Sequence, residues 1–187
     1  MDLSADDKAL FTVLYTKILA AKGNVKVLCQ TYFGDVRDCY DEICALDFDG
    51  IGLDFIEGRK SLEIVEKKGF PKDKTLFAGV VNGKNIWRNN NEKTAEIIAE
   101  LKKNCGEIVL GTSCSLLHVP YTLRNETGFN ESIKKHFAFA EEKLAELSDL
   151  KKILSSDNPR ETAEYKKNET LFSKGRNVEN SAVKARV

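Results

Sequence analysis

The sequence is poor in proline, methionine, tryptophan and histidine, with three Pro, one Met, one Trp and two His among 187 residues. It also lacks net charge, because 29 Lys and Arg balance 29 Asp and Glu. Without a basic surplus or basic residues interleaved with aromatic ones, nothing favours nucleic-acid binding. The first residues are acidic, unlike a secretory signal, and no apolar run approaches the ~18 residues of a membrane span. These absences exclude nucleic acid and membranes as expected partners.

Signals for cysteine pairing are also missing. The number of cysteines is odd, and no two of them form a Cys-x-x-Cys pair. This pattern argues against a disulfide framework and against a closed zinc module. We therefore expect reduced thiols and a cytoplasmic location. The five residues are Cys29, Cys39, Cys44, Cys105 and Cys114.

What the sequence does contain is a regular alternation of strand and helix patterns. Short apolar and β-branched runs predict strands near residues 25–32, 51–56, 75–81 and 107–112. Helical spacing of apolar residues predicts helices over residues 6–21, 35–46, 59–68, 92–104 and 130–154. Ser4 is the expected N-cap of the first helix. One leading helix and four strand–helix units predict an α/β fold with a parallel sheet of right-handed βαβ units.

Four such units can form a small open sheet or half of an eight-stranded barrel. The short strands, each followed by polar residues, favour half of a TIM (β/α)8 barrel. We assign residues 1–156 to this half-barrel and residues 157–187 to a polar extension or linker. Within the extension, residues 157–173 are expected to form a weak helix or a docked segment, and the last 14 residues a linker.

Chemically capable side chains follow the last predicted strand. Cys114 and His118 lie in a stretch that also holds three hydroxyl residues. Ligands of parallel α/β proteins sit beyond the carboxyl ends of the strands. The two residues could form a nucleophile–base pair or supply two metal ligands. The alternative is a buried thiol and an imidazole bonded to backbone, since two ligands alone rarely hold zinc.

Several stretches resemble one family along most of the chain, roughly residues 10–155. The family is cobalamin-independent methionine synthase (5-methyltetrahydropteroyltriglutamate–homocysteine methyltransferase), and the resemblance is to its N-terminal domain. The motifs that carry it are Thr31-Tyr32-Phe33-Gly34, Gly52-Leu53-Asp54-Phe55, residues 79–88 from Gly79 to Arg88, residues 113–120 from Ser113 to Pro120, and Ala138-Phe139-Ala140.

The resemblance implies a two-barrel enzyme that moves a methyl group from a polyglutamylated methyltetrahydrofolate to the thiol of homocysteine. In this family a zinc ion activates that thiol, and its ligands lie in the C-terminal barrel. The present chain then corresponds to the second half of the N-terminal barrel, strands five to eight. Zinc is thus implied for the full-length enzyme, and no cofactor is expected for this chain. The implied partners are the rest of the enzyme, the folate polyglutamate and homocysteine.

The two barrels of the family resemble each other, which relates this chain to the catalytic barrel. Cys114 would fall at the last zinc-ligating Cys, Lys84 at a His proposed as proton donor, and Asn82 at a nearby Asp. A lysine cannot replace an imidazole as a donor poised near neutral pH. The resemblance therefore implies that Cys114 is a vestige, and we expect no catalytic residue in this chain.

Three other residues are weak candidates for substrate binding. Asp54 lies within a predicted strand, where it either orients a ligand at the rim or forms an ion pair with Lys84 or Arg88. Trp87 and Arg88 could stack on a pterin or clamp a carboxylate. The alternative for Trp87 is packing under the next helix, because nothing nearby in the sequence completes a ligand pocket.

The resulting expectation is a structural, folate-side part of a methionine synthase that is inactive alone. The alternatives are a stand-alone α/β module that binds a small ligand, and a small enzyme that uses Cys114. Half of a barrel leaves two open sheet edges and an inner apolar face. That face is formed by Val27, Leu53, Ala78 and Leu110 or by their neighbours of opposite parity. We expect the isolated chain to form a homodimer through these edges, or to aggregate.

Overall fold

The structure is a computed structural model that describes residues 3–173. The helices are α1 (Ala5–Ala20), α2 (Tyr40–Ala45), α3 (Ser61–Lys68), α4 (Asn91–Asn104), α5 (Glu131–Lys134), α6 (Ala140–Leu154) and α7 (Ala163–Ser173). The strands are β1 (Leu28–Gln30), β2 (Gly50–Asp54), β3 (Thr75–Val81) and β4 (Glu107–Thr112). Short 3-10 helices cover Leu116–His118, Leu123–Asn125 and Pro159–Glu161. No helix within residues 3–173 is both long enough and apolar enough to cross a membrane.

The four strands form one sheet in the order β1-β2-β3-β4, and each neighbouring pair is parallel. This arrangement confirms the predicted α/β fold of consecutive parallel units, and it is consistent with half of a TIM barrel. Within the described residues β1 and β4 each have a strand partner on one side only. Both edges of the sheet are therefore open.

The register of the strands separates an inner face from an outer face. Gln30 pairs with Gly52, which pairs with Phe77, which in turn pairs with Val109. Because paired residues share a side, these four and Leu28 form the inner face, where Leu28 is 41% and Val109 is 38% exposed. The opposite parity packs under the helices. Its members include Ile51, Leu53, Leu76, Ala78 and Leu110.

The sequence left two alternatives open for the inner face. The structure shows that the neighbours of opposite parity form it, and that the set with Val27 and Leu53 faces the helices. Leu53 and Ala78 pair in register and are 1% and 0% exposed. They share a core with Val65 of α3 and with Leu101 of α4. Since ~25 cal/mol is gained per Å2 of apolar surface removed from water, burial of this outer face stabilises the sheet against the helices.

Helix α1 begins as predicted, with Ser4 as its N-cap. The Ser4 hydroxyl accepts a hydrogen bond from the Asp7 amide at 3.1 Å, and the Ser4 amide donates one to the Asp7 carboxylate at 3.1 Å. The helix packs on the core through Phe11, Tyr15 and Leu19. The apolar face predicted from the spacing is correct only at Leu19. The other four residues of that face are 49–58% exposed: Leu10, Val13, Leu14 and Ile18.

The predicted helix over residues 130–154 is wrong at residues 135–139, which interrupt it. Helix α5 ends at Lys134, residues 135–139 leave the helix, and α6 begins at Ala140. The cause is a pairing with a distant segment. The Ala138 amide donates to the Ile86 carbonyl at 2.7 Å, and Phe137 forms an antiparallel bridge with Trp87. Hydrogen bonds across this bridge replace those of a continuous helix.

Other boundaries differ by a few residues. The second helix begins at Tyr40 rather than at residue 35, because Asp35 pairs with the Arg37 guanidinium and Gly34 before it adopts φ +149°. Strand β1 is shorter than predicted, since the Val27 amide donates to the Asp49 carboxylate instead of to a backbone carbonyl of a neighbouring strand.

Helix α7 packs against α4 and α6. Its Tyr165 is 4% exposed, and its Asn168 amide group donates to the Asn89 carbonyl at 2.9 Å. Residues 163–173 are thus docked on the layer of helices. The predicted linker of the last 14 residues lies outside the described residues, and the boundary at residue 156 stays a prediction.

Gly79 of β3 and Gly111 of β4 are paired in register, and substitutions at these two positions test how closely the strands pack. A Cβ atom at Gly79 would lie 2.9 Å from the Ser113 Cα and 3.0 Å from the Leu53 carbonyl oxygen. At Gly111, its partner on β4, the nearest atom would be 3.7 Å away. We expect Gly79→Ala to lower the free energy of unfolding by about 1–3 kcal/mol, because backbone atoms must shift. Gly111→Ala should be neutral or stabilising by about 0.5 kcal/mol. Urea unfolding followed by circular dichroism measures both, and equal effects would contradict the packing described.

Candidate functional site at the carboxyl ends of the strands

The loops after all four strands meet through a chain of side-chain contacts. The Lys84 Nζ lies 2.5 Å from the Glu57 Oε1 and 5.6 Å from the centroid of the Phe33 ring. The Phe33 ring in turn meets the His118 ring edge-on, with centroids 5.5 Å apart. We call Phe33, Glu57, Lys84 and His118 the rim cluster. It ties together the loops that follow β1, β2, β3 and β4, as expected of a parallel sheet.

Two further features of the rim cluster are the backbone conformation of Phe33 and the charge of Lys84. Phe33 has φ +63°, a left-handed conformation that costs a bulky residue about 1–3 kcal/mol. The Glu57 carboxylate raises the pKa of Lys84 above its usual value, mainly through their hydrogen bond. The lysine therefore remains a cation at neutral pH.

Asp54 lies beneath the rim cluster at the end of β2 and is 1% exposed. Its Oδ1 accepts hydrogen bonds from the amides of Ile56 and Glu57, at 2.8 and 2.9 Å. The predicted ion pair of Asp54 with Lys84 or Arg88 is wrong, because Lys84 pairs with Glu57 and Arg88 pairs with Glu146. The carboxylate shapes the turn after β2 instead. Its Oδ2 is buried and has no hydrogen-bond partner among the described residues.

Asn82 has a similar local role after β3. Its side-chain oxygen accepts hydrogen bonds from the amides of Lys84 and Asn85, at 2.8 and 2.9 Å. This is the geometry of an Asx turn, which fixes the loop that carries Lys84. The side-chain oxygen of Asn82 is therefore used by the backbone of its own loop, and its role in substrate binding stays a prediction.

The structure does not join Cys114 and His118. The Cys114 side chain is 2% exposed, and its thiol donates a weak hydrogen bond to the Ser115 carbonyl at 3.7 Å. His118 lies in an exposed 3-10 helix and contacts Phe33. No hydrogen bond links the thiol to the imidazole in the described part of the chain. Burial raises the pKa of the Cys114 thiol, which is the opposite of what an activated nucleophile needs.

The surroundings of Cys114 also do not fit a zinc ion. The charged groups that act on its thiol are the carboxylates of Asp54 and Glu57 and the lysines Lys84 and Lys143. Glu57 is paired with Lys84, and Asp54 accepts hydrogen bonds from backbone amides. Ammonium groups repel a cation, and zinc prefers further thiolate or imidazole ligands. Within residues 3–173 no group of three or more His, Cys, Asp or Glu side chains could hold a metal ion.

Trp87 and Arg88 hold the segment before α6 against the loop after β3. The Trp87 ring lies 5.2 Å from the Phe137 ring and is 40% exposed. Trp87 thus packs on the segment before α6 rather than under the next helix. The Arg88 amide donates to the His136 carbonyl at 2.9 Å, and its guanidinium lies 3.5 Å from the Glu146 carboxylate.

The sequence reasoning missed two buried charged residues of α6. Lys143 is 0% and Glu146 is 4% exposed. The Lys143 Nζ donates to the Trp87 carbonyl at 3.2 Å, and the Glu146 carboxylate accepts from the Asn89 amide at 3.1 Å. Burial lowers the pKa of Lys143 and raises that of Glu146. The available signal was their spacing of seven and four residues before Leu150, because it places both on the buried face of the helix.

Comparison with known proteins identifies the family and relatives of this chain. Residues 1–106 match the protein family described as "Cobalamin-independent synthase, N-terminal domain". The whole chain is similar to the 5-methyltetrahydropteroyltriglutamate–homocysteine methyltransferase of Lactococcus lactis subsp. lactis (strain IL1403), with 52% identity over 187 residues. It is 53% identical over 186 residues to the protein of that name from Streptococcus thermophilus (strain ATCC BAA-491 / LMD-9). The match covers 100% of this chain but 24% of each relative, so the chain spans about a quarter of their length.

The burial of Cys114 predicts slow alkylation. Since its pKa is raised, little thiolate exists at neutral pH, and the rate should keep rising with pH between 7 and 9. Iodoacetamide labelling followed by peptide mass spectrometry should label the half-buried Cys29 and Cys44 before Cys114. Unfolding in urea should make all five react. Fast labelling of Cys114 that levels off near pH 7 would contradict a structural role for this thiol.

Proposed function

The chain belongs to the family of cobalamin-independent synthases, whose N-terminal domain it matches, and on this premise we propose that it is part of a methionine synthase. That enzyme would transfer a methyl group from 5-methyltetrahydropteroyltriglutamate to homocysteine. The observation that carries the proposal is identity of about one half along the full chain to relatives that bear this activity in their names. The parallel sheet with two open edges supports it, because such a sheet is half of a closed barrel.

Within the enzyme we assign this chain a structural role on the folate side. The rim cluster satisfies its own charges, with Lys84 held by Glu57, and Asn82 is used by its loop. Cys114 is buried and its pKa is raised, which argues against the alternative of a small enzyme that depends on this thiol. The chain alone is therefore expected to be inactive.

The remaining parts of the enzyme supply what this chain lacks. A zinc ion lowers the pKa of a bound thiol and so generates a nucleophile at neutral pH. We place that ion outside this chain, because the carboxylates near Cys114 are already engaged, Glu57 by Lys84 and Asp54 by backbone amides. Homocysteine and the folate would bind with contributions from other parts of the enzyme. Five unpaired cysteines support a cytoplasmic location.

The remainder of the barrel would cover the open edges and the inner face. Leu28 and Val109 are exposed on that face and would become buried on closure. Within the polar extension, helix α7 would stay docked on the helices α4 and α6.

A chimera tests the proposal. The segment of the Lactococcus lactis relative that matches this chain is replaced by the chain itself, and methyl transfer to homocysteine is measured with the triglutamate folate. We expect the chimera to retain activity within about tenfold, because the barrel closes around a homologous half. The chain alone should give no turnover above a blank without protein.

Two variants of the chimera serve as controls. Cys114→Ser should keep the activity, since the thiol is not used in the reaction. Leu53→Asp should abolish it by placing a charge in the core, where this side chain is 1% exposed. A folded chimera without activity, or turnover by the chain alone that Cys114→Ser removes, would overturn the proposal.

A further inference from the structure

Asn82 is the one asparagine in the sequence that is followed by glycine. In such a pair the backbone nitrogen of the glycine can attack the side-chain carbonyl carbon of the asparagine, because glycine has no Cβ to obstruct the approach. The pair Asn82-Gly83 follows β3 directly, in the loop that carries Lys84 of the rim cluster. A chemically susceptible amide therefore lies within this loop.

The side chain of Asn82 is held in a way that favours attack on its carbonyl carbon. Its Oδ1 accepts hydrogen bonds from the amides of Lys84 and Asn85, at 2.8 and 2.9 Å. Two amide donors on one carbonyl oxygen stabilise the negative charge that develops there when a nucleophile adds to the carbon. The residue is only half-buried, so water reaches it. The rate of the reaction then depends on the nucleophile.

The nucleophile, the backbone nitrogen of Gly83, is restrained by the loop that follows β4. The Gly83 amide donates a buried hydrogen bond to the Ser113 Oγ at 3.2 Å. The Ser113 amide in turn donates to the Val81 carbonyl at 2.8 Å, which holds the two segments side by side. A Cβ at Gly83 would lie 2.4 Å from the Cys114 carbonyl oxygen, so the backbones pack directly on each other. Attack requires the nitrogen to lose its proton, and burial shields that proton from hydroxide.

We propose that Asn82 is a site of spontaneous deamidation that the fold keeps closed, with the Ser113 hydroxyl as the group that restrains the Gly83 amide. In the reaction the Gly83 nitrogen loses its proton and forms a bond to the Asn82 Cγ. The bond from Cγ to Nδ2 breaks, and ammonia leaves with that proton. The cyclic imide then adds a water molecule at either of its two carbonyl carbons. One opening gives aspartate and the other gives isoaspartate.

The two products have different consequences for the rim cluster. Aspartate at position 82 keeps a side-chain oxygen for the amides of Lys84 and Asn85, so the turn is retained. Isoaspartate carries the main chain through the former side chain and lengthens it by one carbon. The turn that fixes Lys84 is then lost, and its ammonium is released from Glu57. Opening of the contact with Ser113 would thus lead to a lasting change at the mouth of the sheet.

This inference does not rest on the proposed function, because the chemistry involves only the loops after β3 and β4. It is also independent of the open edges of the sheet, since β3 is paired on both sides by β2 and β4. A longer protein that contains this chain keeps the same contacts.

The experiment follows the full chain at mildly alkaline pH, native and unfolded in urea. Peptide mass spectrometry measures the conversion of the Asn82 amide to an acid, and chromatography separates aspartate from isoaspartate. The native chain should react at least about tenfold more slowly, because the contact must open first. Hydrogen exchange of the Gly83 amide should be slow as well, since base-catalysed exchange removes the same proton. Equal rates in both states, or fast exchange at Gly83, would overturn the proposal.

Two substitutions in the loop after β4 provide a matched pair. Ser113→Ala removes the acceptor and should raise the rate at Asn82 about three- to tenfold, since a buried hydrogen bond is lost. Ser115→Ala should leave the rate unchanged, because that hydroxyl accepts from the Leu117 amide at 3.3 Å. Ser113→Thr retains a hydroxyl and should retain the slow rate.

Far-ultraviolet circular dichroism verifies that each variant is folded. If Ser113→Ala does not fold, the hydrogen exchange of the Gly83 amide in the unaltered chain decides the question. Equal deamidation rates in folded Ser113→Ala and in the unaltered chain would remove the role of Ser113 and overturn the proposal.

Discussion

The backbone hydrogen bonds at the two sheet edges are the constraint on which this structure depends. Strands β2 and β3 are paired on both sides, but β1 and β4 are paired on one side only. Unpaired strand edges invite another strand, and exposed apolar residues of the inner face add to that demand. The outer face is complete, since Leu53 and Ala78 are fully buried under the helices. The outer face of the sheet is thus covered by helices, whereas Leu28 and Val109 on its inner face remain exposed.

The same asymmetry accounts for the site at the strand ends. Parallel strands carry their following loops to one edge, and these loops satisfy each other through Lys84 and Glu57. Beneath them, Asp54 and Asn82 serve the turns, while Lys143 and Glu146 of α6 bind the loop after β3 from outside. These contacts fix the loops that follow β2 and β3, and they leave the Asp54 Oδ2 without a hydrogen-bond partner among the described residues.

The sequence was sufficient for features that local pattern controls. Apolar runs located all four strands, their order follows from the alternation with helices, and Ser4 was identified as an N-cap by residue type alone. Features that depend on contacts between distant segments could not be predicted from the sequence. The break before α6 depends on a bridge from Phe137 to Trp87, and the partner of Lys84 is Glu57 rather than Asp54. The apolar residues of α1 fit two faces, and only tertiary packing selects the one that contains Phe11 and Tyr15.

Membership of the family bears on the open edges, because the chain spans about a quarter of the length of the relatives it matches. The central claim is that β1 and β4 are interior strands of a closed barrel in the complete enzyme. Amide hydrogen exchange in the chimera with the Lactococcus lactis relative tests this claim most directly. The account predicts that amides of β1 and β4 exchange as slowly as those of β2 and β3. Fast exchange along β1 and β4 beside a protected β2 and β3 would contradict it.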